Sequence, residues 1–208
     1  LSEFLKLPKV NHTKQDEDIM IDILKECLRK EAEALIEVSQ NIDESFIEFS
    51  EEIAECKGKI FFTGVGKSFL VGSKIAGTFS SIGISSIPLN PLSILHGDLG
   101  ALNENDIVIA LSNSGETDIL KDALKCIHSL GVKTLAITGN KASSVARMAV
   151  KSIEVKTTEC GPFGLVPSSS TTAMMAMGDA IACLLINLKR LTIDDFYKNH
   201  PGGELSKL

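Results

Sequence analysis

Residues 59–68 read KIFFTGVGKS, and this stretch predicts a buried strand that turns directly into a helix. The run KIFFT has the continuous apolar character of a strand that is covered on both faces. Gly64 and Gly66 allow a tight turn, after which an apolar helical segment runs from Ser68 to Ile82. A strand followed at once by a helix is the repeating unit of a parallel α/β sheet.

The same alternation continues outward along the chain and predicts one α/β fold with right-handed crossovers. Two amphipathic helices at about residues 16–54 come first, and Asp43 is placed to cap the second of them. Further strands are predicted at residues 85–89, 106–111, 134–138 and 152–155. Further helices are predicted at residues 117–130, about 170–188 and 194–197.

The length, charge and cysteine content indicate a single-domain protein that does not bind nucleic acid. With 208 residues the chain is long enough for one well-buried domain and short for two. A net charge of -6 argues against nucleic-acid binding, because phosphate contacts need clustered lysines and arginines. The five cysteines include no C-x-x-C pair and predict reduced thiols in a cytoplasmic protein.

No membrane segment or signal peptide is expected. The first residues carry Glu3, Lys6 and Lys9 among apolar ones, which is not the pattern of a signal peptide. The longest apolar run, residues 173–188, is interrupted by Gly178 and Asp179. It is therefore predicted to be a buried helix rather than a membrane span.

The GVGKS turn resembles a nucleotide-binding loop but does not match one. A P-loop needs a glycine where this chain has Phe61, and the dinucleotide motif needs one where it has Phe69. What remains is a turn whose backbone amides approach an anion at a helix start, with the Ser68 hydroxyl beside them. A turn of this size suits a single phosphate.

A second polar segment, SNSGET at residues 112–117, follows the strand IVIAL and opens another helix. In a parallel sheet, ligands bind beyond the carboxyl ends of the strands, so both turns are expected at one site. For either turn alone, simple helix capping by serine and threonine is slightly favoured, but two such turns at neighbouring strand ends weaken that explanation. The predicted phosphate ligands are Ser68, Ser112, Asn113, Ser114 and Thr117, with Ser169 and Thr171 at a third helix start.

Five motifs together carry a family resemblance: GVGKS, HGDLG, SNSGET, ECGP…GLVPSSSTT and NHPGG. In this order they resemble the sugar isomerase (SIS) domain of the arabinose 5-phosphate isomerase family. The resemblance implies a three-layer, flavodoxin-like fold with a five-stranded parallel sheet, in a single SIS domain over residues 1–208. It also implies interconversion of ribulose 5-phosphate and arabinose 5-phosphate, which supplies Kdo for lipopolysaccharide or capsule. Many members carry CBS modules after NHPGG, and none is expected here because the sequence stops at Leu208.

The resemblance also implies a set of catalytic residues. They are Lys67, His96, Glu116, Glu159 and His200. Aldose-ketose isomerisation through an enediol needs a base, an acid for the carbonyl oxygen and a phosphate anchor. We expect Glu159 or His200 to act as the base and Lys67 to supply positive charge, and the remaining roles stay interchangeable.

The resemblance also predicts the assembly and the ligands of the protein. The family assembles as tetramers, so we expect a homotetramer with shared active sites, formed through the first two helices and the 173–188 helix. The substrate is expected to be a small phosphosugar, with no cofactor or metal required and zinc only an adventitious inhibitor. The alternatives are another SIS sugar-phosphate isomerase and a phosphosugar sensor without catalysis.

Overall fold

The computed structural model describes residues 13–202, and in them the predicted strand and helix alternation is present. The strands are β1 (Ile60–Gly64), β2 (Ser86–Pro88), β3 (Ile107–Ser112), β4 (Lys133–Thr138) and β5 (Lys151–Glu154). The helices are α1 (Lys14–Gln40), α2 (Glu44–Glu55), α3 (Lys67–Ser81), α4 (Pro91–Ile94), α5 (Asp118–Ser129), α6 (Ser144–Met148), α7 (Ser169–Leu188) and α8 (Ile193–Lys198). Residues 1–12 and 203–208, which the expected 1–208 domain includes, lie outside the described part.

The five strands form one parallel sheet in the order β2-β1-β3-β4-β5. This is the flavodoxin-like order, and it confirms the predicted fold class. The central strands β1 and β3 are buried along their whole length, as their unbroken apolar sequence predicts. Ile60 pairs with both Ser86 and Ile107, which aligns the carboxyl ends of the three strands at one edge.

Helices cover both faces of the sheet and give the three layers. Successive residues of a strand point to opposite faces, so Phe61 and Phe62 belong to different cores. Phe62 packs edge-on against Phe79 of α3, with ring centroids 5.1 Å apart, in the core shared with α2 and α7. Phe61 lies in the other core, with Leu120 and Leu124 of α5.

Helix α7 lies in the core, as predicted. Among the described residues it is the one helix long and apolar enough to cross a membrane by length and composition. Its inner face packs against α3 and α1, and Met174 and Leu185 are buried there. A side chain on Gly178 would clash with Ile75 at 2.4 Å, so this glycine sets the close approach of α3 and α7.

The sequence patterns missed α4 and α6. Each is only four or five residues long, which is too short to show a helical period. The capping signals are nevertheless in the sequence, because Asn90 accepts from the Leu92 amide and Ser143 accepts from the Ala146 amide. Asp43 caps α2 as predicted, accepting from the Ser45 amide at 2.9 Å.

The amino-terminal half of α1 carries an apolar face that the described chain leaves uncovered. Only Ala34 and Val38 of this helix are buried. The exposed large apolar residues of this half are Ile19, Met20, Ile21, Ile23 and Leu24, and Leu28 and Ile36 follow in the second half. Exposed apolar patches of this extent are typical of interaction surfaces.

Candidate functional site

A small cavity opens at the carboxyl edge of the sheet, where three polar segments meet. Its volume is about 190 Å³, and it lies between the GVGKS turn, the end of β3 and the first turn of α7. Four of the predicted site residues line it: Lys67, Ser68, Asn113 and Thr171. The other lining residues are Val65, Pro167, Ser170 and Met174. The structure therefore brings together residues that are more than 100 positions apart in the sequence.

Three helices, α3, α5 and α7, differ from the others in how their first turns are capped. Among the described residues, α3, α5 and α7 receive no capping hydrogen bond from their own N-cap side chain. The remaining five helices are capped by Thr13, Asp43, Asn90, Ser143 and Thr192. An uncapped helix start leaves donors and the positive end of the helix dipole for an anion.

The GVGKS turn places a free cation at the start of α3. Gly66 is the N-cap residue and has φ +60°, a conformation that favours glycine. Lys67 is the first residue of α3, is exposed, and makes no ion pair among residues 13–202. A positive side chain beside uncapped amides is a suitable environment for a phosphate.

The SNSGET segment contributes less to the cavity than the sequence predicts. Ser112 is 4% exposed, and its hydroxyl accepts from the Gly115 amide at 3.0 Å. The Ser114 hydroxyl accepts from the Glu116 amide at 3.3 Å. Both hydroxyls therefore bind nearby backbone amides, as in the alternative explanation that these serines only cap a helix start. Among the predicted ligands in this segment only Asn113 lines the cavity, and Thr117 lies outside it as the N-cap of α5.

Ser169 faces the protein interior. It is the first residue of α7, it is 1% exposed, and its hydroxyl has no hydrogen-bond partner among the described residues. Its neighbours Ser170 and Thr171 line the cavity instead. Met174, in the helix predicted to be buried, lies one turn beyond Thr171 and also lines the cavity.

Glu159 binds the start of α7. Its carboxylate accepts from the Ser168 amide at 2.8 Å, the Ser168 hydroxyl at 3.2 Å, the Ser170 amide at 3.2 Å and the Ser170 hydroxyl. It thus replaces the missing N-cap side chain of α7. Burial raises the pKa of this carboxyl, but the hydrogen bonds from Ser170 and Ser168 outweigh it, so the pKa lies below its ordinary value. A carboxylate held in this way is a weak proton acceptor.

Glu116 is engaged away from the cavity. Its carboxylate accepts from the Ser144 amide at 2.7 Å, at the start of α6, and Lys121 lies 3.6 Å away. Its pKa is lowered, first by the hydrogen bonds from Ser144 and then by the positive charge of Lys121. About half of the side chain is exposed to water, so Glu116 is a poor candidate for a desolvated base.

The two predicted histidines lie outside the cavity of this chain. His96 follows α4 beyond the end of β2 and is exposed. His200 follows α8, where its ring stacks on Phe196 with centroids 4.1 Å apart. Its Nδ1 donates to the Phe196 carbonyl oxygen at 2.8 Å, which leaves the Nε2 lone pair of the neutral ring for other chemistry.

His200 is at the opposite end of α3 from Lys67. The preceding residue, Asn199, lies against Gly83, which follows the carboxyl end of α3, and Phe196 shares an apolar cavity with Ile82. Because α3 has 15 residues, the two ends are separated by roughly 22 Å. Within one copy of the chain, Lys67 and His200 therefore lie at opposite ends of α3 and not around one cavity.

No metal centre is evident in the described part of the chain. Within residues 13–202, no group of three or more histidine, cysteine or acidic side chains is placed to hold an ion. The five cysteines are unpaired thiols. The expectation that neither metal nor cofactor is needed stays a prediction.

The hydrogen bonds to Glu159 make a testable prediction about stability. At neutral pH, Glu159→Gln should lower the free energy of unfolding by about 1 kcal/mol, because the charged acceptor is lost but the site is partly solvated. The folded-state pKa is lowered, so this contribution exists above the unfolded pKa and is lost as pH falls through the folded value. Urea unfolding of both proteins from pH 7 down to about pH 3, below the ordinary pKa of a glutamate, should show the difference shrinking in acid.

Glu104→Gln is a matched control, since Glu104 is exposed and makes no ion pair or side-chain hydrogen bond among the described residues. It should leave the free energy of unfolding nearly unchanged. Curves for wild type and Glu159→Gln that stay parallel across this pH range would contradict the proposed anchoring of α7.

Residues 52–184 match the family model described as the SIS domain. Among curated proteins, the arabinose 5-phosphate isomerase KdsD of Escherichia coli K12 is 42% identical over 184 residues, which is 88% of this chain and 56% of that protein. KdsD of Pseudomonas aeruginosa is 36% identical over 178 residues, which is 85% of this chain and 55% of that protein. The chain thus spans about half the length of these curated relatives.

A solved structure supports the same relationship. The E. coli CFT073 protein c3406, in complex with arabinose 5-phosphate, superposes with a TM-score of 0.86. It is 34% identical, and the match covers 91% of this chain and all of that one. At this identity and coverage the likeness reaches beyond the common fold.

Proposed function

The chain belongs to the SIS-domain family, and on that premise we propose that it is an aldose-ketose isomerase that interconverts ribulose 5-phosphate and arabinose 5-phosphate. The observation that carries the proposal is the cavity at the carboxyl edge of the sheet, where Lys67 stands free beside the uncapped start of α3. The names of the similar curated proteins and the sugar-phosphate complex of c3406 support this choice of sugar.

The size of the cavity supports a phosphate anchor. A volume of about 190 Å³ is smaller than the roughly 300–1,000 Å³ of ordinary small-molecule pockets. It suits the phosphate group, with the rest of a five-carbon sugar extending past the rim. Binding energy from the phosphate then holds the reacting carbons in position.

The chemistry moves one proton between neighbouring carbons. A base takes a proton from C1 of ribulose 5-phosphate, the electron pair forms the C1–C2 double bond, and the C2 carbonyl oxygen takes up a proton. Return of a proton to C2, with loss of the proton on the C1 oxygen, gives the aldose. Glu159 accepts four hydrogen bonds and has a lowered pKa, so we favour His200, whose Nε2 is free, as the base.

A second copy of the chain is needed for that role. His200 lies at the far end of α3 from Lys67, and the exposed apolar face of α1 offers a surface for association. We therefore propose a homotetramer in which one subunit supplies the phosphate cavity and a neighbour supplies His200. The same assembly would form walls for the part of the sugar that one copy leaves open.

Three further expectations are part of the proposal. No cofactor or metal takes part, and zinc acts only as an inhibitor. The unpaired thiols support a cytoplasmic location. The product is proposed to supply Kdo synthesis for lipopolysaccharide or capsule, as the family resemblance implies.

The reaction is tested by incubating the protein with ribulose 5-phosphate in deuterated water, with and without a chelator, and following it by proton NMR. We expect arabinose 5-phosphate with deuterium at C2, formed at the same rate in both samples. Formation of ribose 5-phosphate instead would support isomerase activity but contradict the proposed configuration at C2. Binding of the sugar phosphate without turnover would favour a sensor, and loss of activity with chelator would overturn the metal-free mechanism.

A further inference from the structure

The first turn of α7 is held from two sides by carboxylates of different origin. Glu159, from the loop before α7, binds Ser168 and Ser170. Glu31, from the middle of α1, accepts from the Thr172 hydroxyl at 3.0 Å. Between these two anchored positions lies Thr171, which lines the cavity.

Glu31 also reaches the loop that carries Glu159. The Cys160 thiol lies 3.8 Å from one oxygen of Glu31 and 3.2 Å from the Ser168 hydroxyl, so its single proton serves one of these acceptors at a time. Glu31 is half-buried, although most of the residues around it on α1 are exposed. Its two oxygens thus connect α1 with the first turn of α7 and with the loop that carries Glu159.

We infer that Glu31 is a positioning residue for phosphate binding, acting through Thr172 to fix the first turn of α7. Glu31 does not line the cavity and touches no reacting atom, so its effect on the ligand passes through other residues. The inference rests on the proposed function only in requiring that the cavity binds phosphate. It gives α1 a role in the site that the sequence motifs do not contain.

The sign of the effect separates positioning from simple electrostatics. By Coulomb's law alone, removal of a negative charge near an anion site should tighten phosphate binding. Loss of positioning should weaken it, because Thr171 is then held only on the Ser170 side and can leave its binding geometry. The two explanations predict opposite changes for Glu31→Ala.

The test measures the Kd of inorganic phosphate by ³¹P NMR titration, together with kcat and KM for ribulose 5-phosphate. For Glu31→Ala we expect the phosphate Kd and KM to rise about tenfold, the cost of one charge-assisted hydrogen bond, with kcat changed by less than about threefold. Glu31→Gln keeps an oxygen for Thr172 and should stay within about twofold of wild type. Thr172→Val should repeat the effect of Glu31→Ala and add nothing to it in the double variant.

Glu33→Ala is the matched control, since Glu33 is exposed on the same helix and makes no ion pair or side-chain hydrogen bond among residues 13–202. It should leave Kd and KM unchanged. Unchanged or tighter phosphate binding by Glu31→Ala overturns the inference, as does an equal loss in Glu33→Ala. If wild type binds phosphate but does not turn over ribulose 5-phosphate, the isomerase proposal fails while the role of Glu31 is still measured. Absence of phosphate binding by wild type overturns both.

Discussion

Lys67→Ala is expected to lower kcat/KM for ribulose 5-phosphate by about a thousandfold, the effect of removing one preorganised charge from a reaction site. Lys67 is the first residue of α3, lines the cavity, and has no ion pair among the described residues that would divert its charge. The dianionic phosphate and the enediolate both gain from this ammonium group, so ground-state and transition-state binding should both fall. Steady-state kinetics and a phosphate titration of the variant measure the two losses separately.

Lys74→Ala is the matched control for this prediction. Lys74 lies two turns further along the same helix, where it forms an exposed ion pair with Asp179 of α7. Exposed pairs contribute little, so its removal should change kcat/KM by less than about twofold. A Lys67→Ala protein that retains more than a tenth of wild-type activity would show that Lys67 is only a solvated residue at a helix start.

Restored activity in mixed oligomers is the second large effect that we expect. His200→Ala should be nearly inactive by itself, as should Lys67→Ala, because each removes one half of the proposed shared site. Coexpression of the two variants should recover about a quarter of wild-type activity, since a quarter of randomly assembled sites combine an intact Lys67 with an intact His200 from the neighbour. The activity of the purified mixture measures this directly.

The control replaces His200→Ala by the double variant Lys67→Ala/His200→Ala. Its mixture with Lys67→Ala contains no intact lysine and should stay inactive. Full activity of His200→Ala alone would show that His200 takes no part in catalysis. Mixed oligomers that form but stay inactive would show that the site is not shared in the proposed way.

Substitutions of Glu159 and His200 also separate the roles of these two residues. The hydrogen bonds at the start of α7 make Glu159 an anchor, and its loss should lower stability as well as activity. His200 lies near the end of the described chain, where its ring stacks on Phe196 and is only half-buried. His200→Ala is therefore expected to reduce activity with little change in the unfolding midpoint.

The fold class and the central residues of the cavity could be predicted from the sequence alone. Continuous apolar runs such as IVIAL require a strand covered on both faces, and such strands specify a parallel sheet with ligands at its carboxyl edge. Lys67, Ser68 and Asn113 follow directly from this rule, because each stands within a few residues of a central strand end. These are local relations, and a local pattern is sufficient to predict them.

The hydrogen-bond partners of the polar side chains, in contrast, depend on how distant segments pack together. Ser112 and Ser114 could bind phosphate or their own backbone, and the folded turn directs both to the backbone. Glu159 and Glu31 meet the start of α7 from 11 and 141 positions away, and no sequence period records such contacts. The separation of Lys67 from His200 depends on the direction and length of α3 between them. Pairings of this kind arise from packing between distant segments, which is why motif and periodicity alone did not contain them.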